Sequence, residues 1–166
     1  TFLEFSVGNR CNLICRMCNV DNSHLWEEES RTLFPEVKIP TRKVSVDEKF
    51  LSDEFFKENF THIKQVNFLG GEPLMTNRHI KFLEKFKNLP QLKVIYNTNG
   101  TYKITSKVKK LLDKCKEVFF YICKRTPKIF RAVCEVRYSR KYCFVLHNKS
   151  NSKFIERWIE RIVERI

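Results

Sequence analysis

The chain has 166 residues, 42% of them hydrophobic, and its four Gly and five Pro exclude collagen-like and low-complexity classes. The formal net charge is +13, and residues 124–152 contribute +7 of it because they hold eight Lys or Arg and one Glu. The apolar runs are far shorter than the ~20 residues that cross a bilayer, so we expect no membrane span.

The start of the chain and its cysteine count bear on the compartment. Residues 1–7 read as a strand without a preceding basic region, and therefore not as a signal peptide. Seven Cys is an odd number that suits a disulfide framework poorly, so we expect the cytoplasm, where thiols stay reduced. Thr stands at position 1 where a strand already begins, which suggests a chain cut from a longer one.

Strands and helices alternate in the predicted order of elements. Strands are expected at residues 1–7, 63–69, 92–100 (ending in a turn) and 117–123. Helices are expected at residues 22–30, 46–60, 76–89 and 104–115. Beyond residue 123 the pattern weakens to possible strands at 132–138 and 141–147 and an amphipathic helix at 152–166. Three complete strand–helix units and the start of a fourth predict an α/β fold with parallel strands.

Three cysteines lie close together on the loop after the first predicted strand. Cys11, Cys15 and Cys18 are separated by three and then two residues. Thiolates are soft ligands, and three of them can hold three irons of a cubane [4Fe–4S] cluster while the fourth iron stays open. A zinc site with His24 as its fourth ligand is the alternative, although it leaves the motif "GGEP" at residues 70–73 unexplained.

The motifs of the first three quarters of the chain resemble one known family. "CNLICRMC" is the C-x-x-x-C-x-x-C signature of the radical S-adenosylmethionine (radical SAM) superfamily. "FLGGEP" after the second strand and "YNTNG" after the third are similar to further motifs of that family. The flanking sequence resembles members with a twitch-type C-terminal extension. The resemblance implies a partial (β/α) barrel, of which only about half of six units is recognisable here.

The resemblance also implies cofactors and the residues that hold them. Cys11, Cys15 and Cys18 would bind the [4Fe–4S] cluster, whose open iron would be chelated by S-adenosylmethionine (SAM). One electron would cleave SAM to a 5′-deoxyadenosyl radical that takes hydrogen from a peptide, nucleotide, sugar or RNA substrate. A flavodoxin or ferredoxin would supply that electron. The residues expected to bind SAM are Gly70, Gly71, Glu72, Pro73, Asn97, Thr98 and Asn99.

The family pattern stops near residue 123, which divides the chain into three expected parts. Residues 1–123 form the radical SAM core, 124–152 a divergent basic segment and 153–166 a C-terminal amphipathic helix. Aromatic residues interleave with the basic ones in the second part, which is compatible with nucleic-acid contacts. The alternative function is therefore a catalytically impaired fragment that acts as an iron–sulfur or nucleic-acid-binding module.

Several of these residues have simpler interpretations. Glu72 could cap a helix N-terminus, and Asn97 and Asn99 could be turn residues. His79 stands alone in the sequence and is expected to be a surface or packing residue. The remaining cysteines lie too far apart for a second cluster to be favoured: Cys115, Cys123, Cys134 and Cys143. Cys115, on a predicted helix, and Cys123, on a predicted strand, are expected to be small buried hydrophobes.

Overall fold

A computed structural model describes residues 1–15, 18–38, 52–60, 62–122, 134–137 and 142–146. Its strands are β1 (Phe2–Ser6), β2 (Gln65–Leu69), β3 (Lys93–Thr98), β4 (Glu117–Ile122), β5 (Cys134–Arg137) and β6 (Tyr142–Leu146). Its helices are α1 (Leu25–Leu33), α2 (Asp53–Phe60), α3 (Arg78–Lys85) and α4 (Ser106–Leu112). The predicted helix at 152–166, Cys123 and most of the basic segment lie outside the described residues.

All six strands belong to one sheet with the order β1-β2-β3-β4-β6-β5. Neighbours from β1 to β4 are parallel, and β6 adds to β4 in the same direction. The predicted α/β class with parallel strands is therefore confirmed. The exception is β5, which pairs antiparallel with β6 at the edge. The regular pattern of parallel neighbours therefore ends in the part of the chain where the sequence motifs also end.

One face of the sheet forms the core. Buried residues alternate with half-buried ones along β2 and β4, as expected for a sheet with one covered face. The aromatic rings of Phe68, Tyr96 and Phe120 stack in a row across β2, β3 and β4. Phe82 of α3 meets Phe68 edge-on and contacts Phe56 of α2, so these helices cover this face. This packing holds the carboxyl ends of β1, β2 and β3 side by side.

The opposite face of the sheet is polar where β2 and β3 meet. Asn67 and Asn97 lie on this face, and the side-chain amide of Asn97 donates to Oδ1 of Asn67 at 2.7 Å. Both residues are half-buried, as is Tyr121 beside Asn97 on β4. The sheet therefore has one apolar face and one face with hydrogen-bonding groups.

Helix bounds differ from the sequence prediction where side chains compete for the backbone. The first helix begins at Leu25 rather than near Asn22, because Oδ1 of Asn19 accepts the amides of Asp21 and Asn22 in a preceding turn. Helix α3 ends at Lys85, ahead of a 3₁₀ turn at Leu89–Gln91 that contains Pro90. None of the described helices has the length and apolar character needed to cross a membrane.

His79 is a packing residue of the core, as its isolation in the sequence predicts. The side chain is fully buried on α3, with its ring edge-on to Phe68 and Tyr96. Neither ring nitrogen has a hydrogen-bond partner within the described part of the chain. Burial lowers the pKa of His79 to about 4, and the nearby carbonyls of Pro73 and Thr76 oppose this only in part. The ring is therefore neutral in the folded protein at neutral pH.

This burial predicts acid sensitivity. The unfolded chain protonates His79 near pH 6.5, whereas the folded protein does so near pH 4, so the unfolded state binds more protons between these values. We expect the burial of neutral His79 to lower the free energy of unfolding by about 3 kcal/mol as the pH falls through this window. Urea denaturation of the wild type and of His79→Leu at both pH values measures the difference. His62→Gln, at an exposed position, is the control. If His79→Leu lost as much stability as the wild type between these two pH values, the prediction would be wrong.

Candidate functional site

The three cysteines lie on the loop that joins the carboxyl end of β1 to α1. Cys11 is buried and Cys15 and Cys18 are half-buried, and none of the described cysteines is in a disulfide. The amide of Cys18 donates to the carbonyl of Cys15 at 2.9 Å. The indole Nε1 of Trp26, on α1, donates to the same carbonyl at 3.0 Å. These bonds anchor the backbone of Cys15 to Cys18 and to α1.

The two glycines after β2 pack directly against the cysteine loop. Gly70 and Gly71 have φ angles of +81° and +50°, a region that favours glycine. A Cβ on Gly71 would collide with the backbone carbonyl of Arg10, and one on Gly70 would lie 2.5 Å from the carbonyl oxygen of Gly8. The amide of Glu72 donates to the carbonyl of Arg10 at 2.8 Å. The absence of side chains at residues 70 and 71 therefore lets the two loops join through their backbones.

We expect Gly71→Ala to destabilise the protein by about 2 kcal/mol, because the added methyl meets backbone and the φ angle is unfavourable. Gly100→Ala is the matched control, since Gly100 also has a positive φ, of +72°, and its amide donates to the Thr98 hydroxyl rather than to the cysteine loop. The control should lose about 1 kcal/mol, from the φ angle alone. Urea denaturation measures both changes, and equal losses would contradict the close approach of the two loops.

Glu72 joins the loop after β2 to the end of β3. Its carboxylate is fully buried and accepts hydrogen bonds from the Thr98 hydroxyl at 2.7 Å, the Asn99 amide at 2.7 Å and the Leu74 amide at 3.2 Å. Burial raises the pKa of Glu72, and the three hydrogen bonds oppose the shift without cancelling it. A carboxylate suits this position because two of its three partners are backbone amides, which can only donate, and each meets a different acceptor oxygen.

The capping interpretation of Glu72 accounts for one of these bonds. Glu72 precedes a 3₁₀ turn at Pro73–Met75, and its bond to the Leu74 amide is a cap of that turn. Pro73 occupies the first position of the turn, where its fixed φ is favourable. The bonds to Thr98 and Asn99 reach a different loop, so the side chain does more than end a turn.

The predicted residues at the end of β3 separate onto two sides. Thr98 and Asn99 meet Glu72, whereas Asn97 lies on the opposite face of the strand and bonds Asn67. This separation follows from the alternation of side chains along a strand. The structure thus brings Glu72, Thr98 and Asn99 together with the cysteine loop, and leaves Asn97 on the polar face of the sheet.

A second network links the loop after β3 to Cys11. The Asn99 side-chain amide donates to Sγ of Cys11 at 3.6 Å and to Oδ1 of Asn12 at 2.9 Å. Thr101 completes the network through hydrogen bonds with Asn12 and Asn99. On the other side, the amide of Cys11 donates to Nδ1 of His24 at 3.2 Å. Sequence reasoning missed Asn12 and Thr101, since isolated polar residues on two distant loops carry no local pattern.

The donor set can be tested against the metal groups that the sequence suggests. Among the described residues, no three His, Cys, Asp or Glu side chains gather where a single metal ion could bind. In the zinc alternative His24 and the thiols would share one ion, and Nδ1 of His24 already accepts the amide of Cys11, so only its Nε2 could be the fourth ligand. Three thiols outside disulfides, on one loop at the carboxyl edge of the sheet, fit a cluster in chemistry and number.

A separate cavity of about 550 Å³ lies at the amino ends of the strands. Lys64, Lys93 and Lys116 line it together with Glu117. Lys64 precedes β2 and Lys93 begins β3, and the Glu72 network lies at the opposite ends of these two strands. The cavity is therefore remote from the candidate site.

Two curated proteins are similar to this chain. It is 28% identical over 113 residues to a GTP 3′,8-cyclase of Sulfurimonas denitrificans, which covers 68% of this chain and 31% of the relative. It is 27% identical over 112 residues to a GTP 3′,8-cyclase of Listeria monocytogenes serotype 4b, with 68% and 30% covered. The matched region spans about a third of the length of these relatives. No protein-family profile matches the chain, and no solved structure matches it significantly.

Proposed function

We propose that this chain, which belongs to the radical SAM superfamily, holds a [4Fe–4S] cluster on Cys11, Cys15 and Cys18 and uses it with SAM. One observation carries the proposal: the loop of three thiols is bonded through backbone to the GGEP turn, at the edge where β3 also ends. Such a cluster, when bound, supplies the electron that cleaves SAM to methionine and a 5′-deoxyadenosyl radical, which takes hydrogen from a substrate.

Different residues of this chain would bind the cluster, bind SAM and position the loops around them. The three thiolates would leave one iron open for the amino and carboxylate groups of SAM. Gly70 and Gly71 would offer backbone carbonyls to the SAM ammonium, in a turn whose shape Pro73 fixes. The Glu72 carboxylate is buried and bonded three times, so we assign it the task of holding Thr98 and Asn99 beside that turn.

Asn97 would contribute from the opposite face of the sheet. It lies with Asn67 on the polar face of the sheet, next to the carboxyl edge. Its Oδ1 and the Nδ2 of Asn67 are the amide atoms not used in the bond between them. We assign this pair to hydrogen bonds with the polar part of SAM or of the substrate.

The extent of the active core and its partners are part of the proposal. Residues 1–123 would form the core, with 124–152 a basic segment and 153–166 a terminal helix. A flavodoxin or ferredoxin would supply the electron, and the cytoplasm would keep the thiols reduced. The name of the two relatives refers to GTP, so a purine nucleotide is the first substrate to test, ahead of peptides, sugars and RNA.

Anaerobic reconstitution tests the proposal. The purified chain is incubated with iron and sulfide, and its iron, sulfide and zinc contents and visible absorption are measured. Dithionite and SAM are then added, and 5′-deoxyadenosine is quantified with and without GTP. Iron uptake with 5′-deoxyadenosine formation supports the enzyme. Uptake of zinc with no iron contradicts the cluster and with it the whole proposal.

The same experiment separates a second candidate function. This second candidate is an iron–sulfur module without turnover. It predicts a brown protein that forms no 5′-deoxyadenosine. The excess positive charge of residues 124–152 favours nucleic acid as the partner of such a module. Its binding to RNA or DNA should then weaken steeply as the salt concentration rises.

A further inference from the structure

The backbone and the sulfur of Cys11 each form a hydrogen bond with the side chain of another residue. Its side chain is 7% exposed, and its amide donates to Nδ1 of His24 at 3.2 Å. Its sulfur accepts a hydrogen bond from the side-chain amide of Asn99 at 3.6 Å, although the two residues are 88 positions apart. Backbone and sulfur of Cys11 are thus each fixed by a side chain from outside the cysteine motif.

The orientation of the Asn99 amide follows from its other partners. Its Oδ1 accepts the Thr101 amide at 2.9 Å and the Thr101 hydroxyl at 2.6 Å. A backbone amide can only donate, so the oxygen of Asn99 must face Thr101. The nitrogen must therefore face the opposite way, towards Sγ of Cys11 and Oδ1 of Asn12. A flipped amide would set two donors against each other.

The backbone of Asn99 is fixed as well. Its amide donates to Oε2 of Glu72 at 2.7 Å, and this carboxylate is fully buried. The position of the donor is therefore set before any cofactor arrives. A hydrogen bond to a ligand sulfur stabilises the additional negative charge of a reduced cluster, and so raises its reduction potential.

We infer that Asn99 is a positioning residue that orients Cys11 through its sulfur and raises the reduction potential of the cluster. This inference rests on the proposed function, because it requires the three cysteines to hold a cluster. It assigns to the Asn99 side chain a partner other than SAM. The geometry that carries it is the Nδ2–Sγ contact together with the orientation that Thr101 imposes.

An electron-paramagnetic-resonance redox titration of the reconstituted protein tests the inference. Asn99→Asp keeps an acceptor for Thr101 but has no donor for Cys11, and Asn99→Leu removes the donor without adding charge. Each should make cluster reduction about tenfold less favourable, a shift of about 59 mV for one electron. Asn12→Asp is the matched control, since it adds a carboxylate to the same network and leaves the bond to Cys11. The equilibrium constant for cluster reduction in this variant should change less than threefold.

The outcomes separate this inference from the proposed function. If the wild type takes up iron and both Asn99 variants titrate at its potential, the inference is wrong and the proposed function stands. If the wild type takes up no iron, both are wrong. If both variants stay folded but lose the cluster, Asn99→Gln decides, because it restores an amide donor. Restored uptake with Asn99→Gln supports the inference, and continued loss overturns it.

Discussion

Replacing Cys15 with Ala should abolish iron incorporation and 5′-deoxyadenosine formation while leaving the protein folded. Two thiolates cannot replace three, because the iron that loses its ligand is exposed to solvent and to chelators. The stability should change by less than about 1 kcal/mol, since the half-buried side chain is small and the structural bonds of Cys15 use its carbonyl. Iron and sulfide per chain, measured after anaerobic reconstitution, check the first effect, and urea denaturation the second.

Cys115→Ala is the matched control for this prediction. Cys115 follows α4, is 2% exposed and belongs to the hydrophobic core. We expect it to lose about 1 kcal/mol of stability, from a small cavity, and to keep the wild-type iron content. The two variants should therefore show opposite patterns. Full iron content in Cys15→Ala would remove Cys15 from the ligands and contradict the three-thiolate site.

The second large effect is expected for Glu72→Gln, which should destabilise the protein by about 3 kcal/mol. The substitution preserves volume but replaces one acceptor oxygen with an NH₂ donor. That donor would face the backbone amide of either Asn99 or Leu74, and a backbone amide can only donate. Buried donors without acceptors cost about 1–3 kcal/mol each. Urea denaturation measures the loss, and reconstituted iron content should fall with it because Asn99 loses its anchor.

An exposed acidic residue provides the control for Glu72. Glu84 pairs with Lys107 at 2.7 Å on the surface, and both side chains are substantially exposed. Glu84→Gln should cost less than about 0.5 kcal/mol, as exposed ion pairs contribute little. If Glu72→Gln were as stable as Glu84→Gln, the buried carboxylate would not be the link between the loops.

The strands were readable from the sequence as short apolar segments, with the alternation of apolar and polar residues clearest in β1 and β2. Phe68, Tyr96 and Phe120 stand at buried positions of β2, β3 and β4, and the stacking of their rings depends on the register between these strands, which the sequence does not give. Helix ends were less readable. Helix α1 begins later than expected because Oδ1 of Asn19 accepts two backbone amides in the preceding turn. Whether a side chain binds the backbone in this way depends on local geometry, which the sequence does not show.

The candidate site was predictable in its motifs but not in its connections. The cysteines, Gly70, Gly71 and Glu72 stand out by spacing and by residue type. That Glu72 bonds the end of β3 requires knowing that β2 and β3 are neighbours and in register. The bond from Asn99 to Cys11 depends on side-chain orientation across 88 residues, which no periodicity encodes.

The backbone bond between Arg10 and Glu72, and the contact from Asn99 to Cys11, also constrain the order of assembly during synthesis. The thiols emerge from the ribosome before the segments that orient them, which follow β2 and β3 in the chain. Closing such long loops is slow compared with forming a local turn. Metal loading should therefore be a late event, and a nascent chain that stops short of residue 99 should carry its cysteines without the scaffold that aligns them.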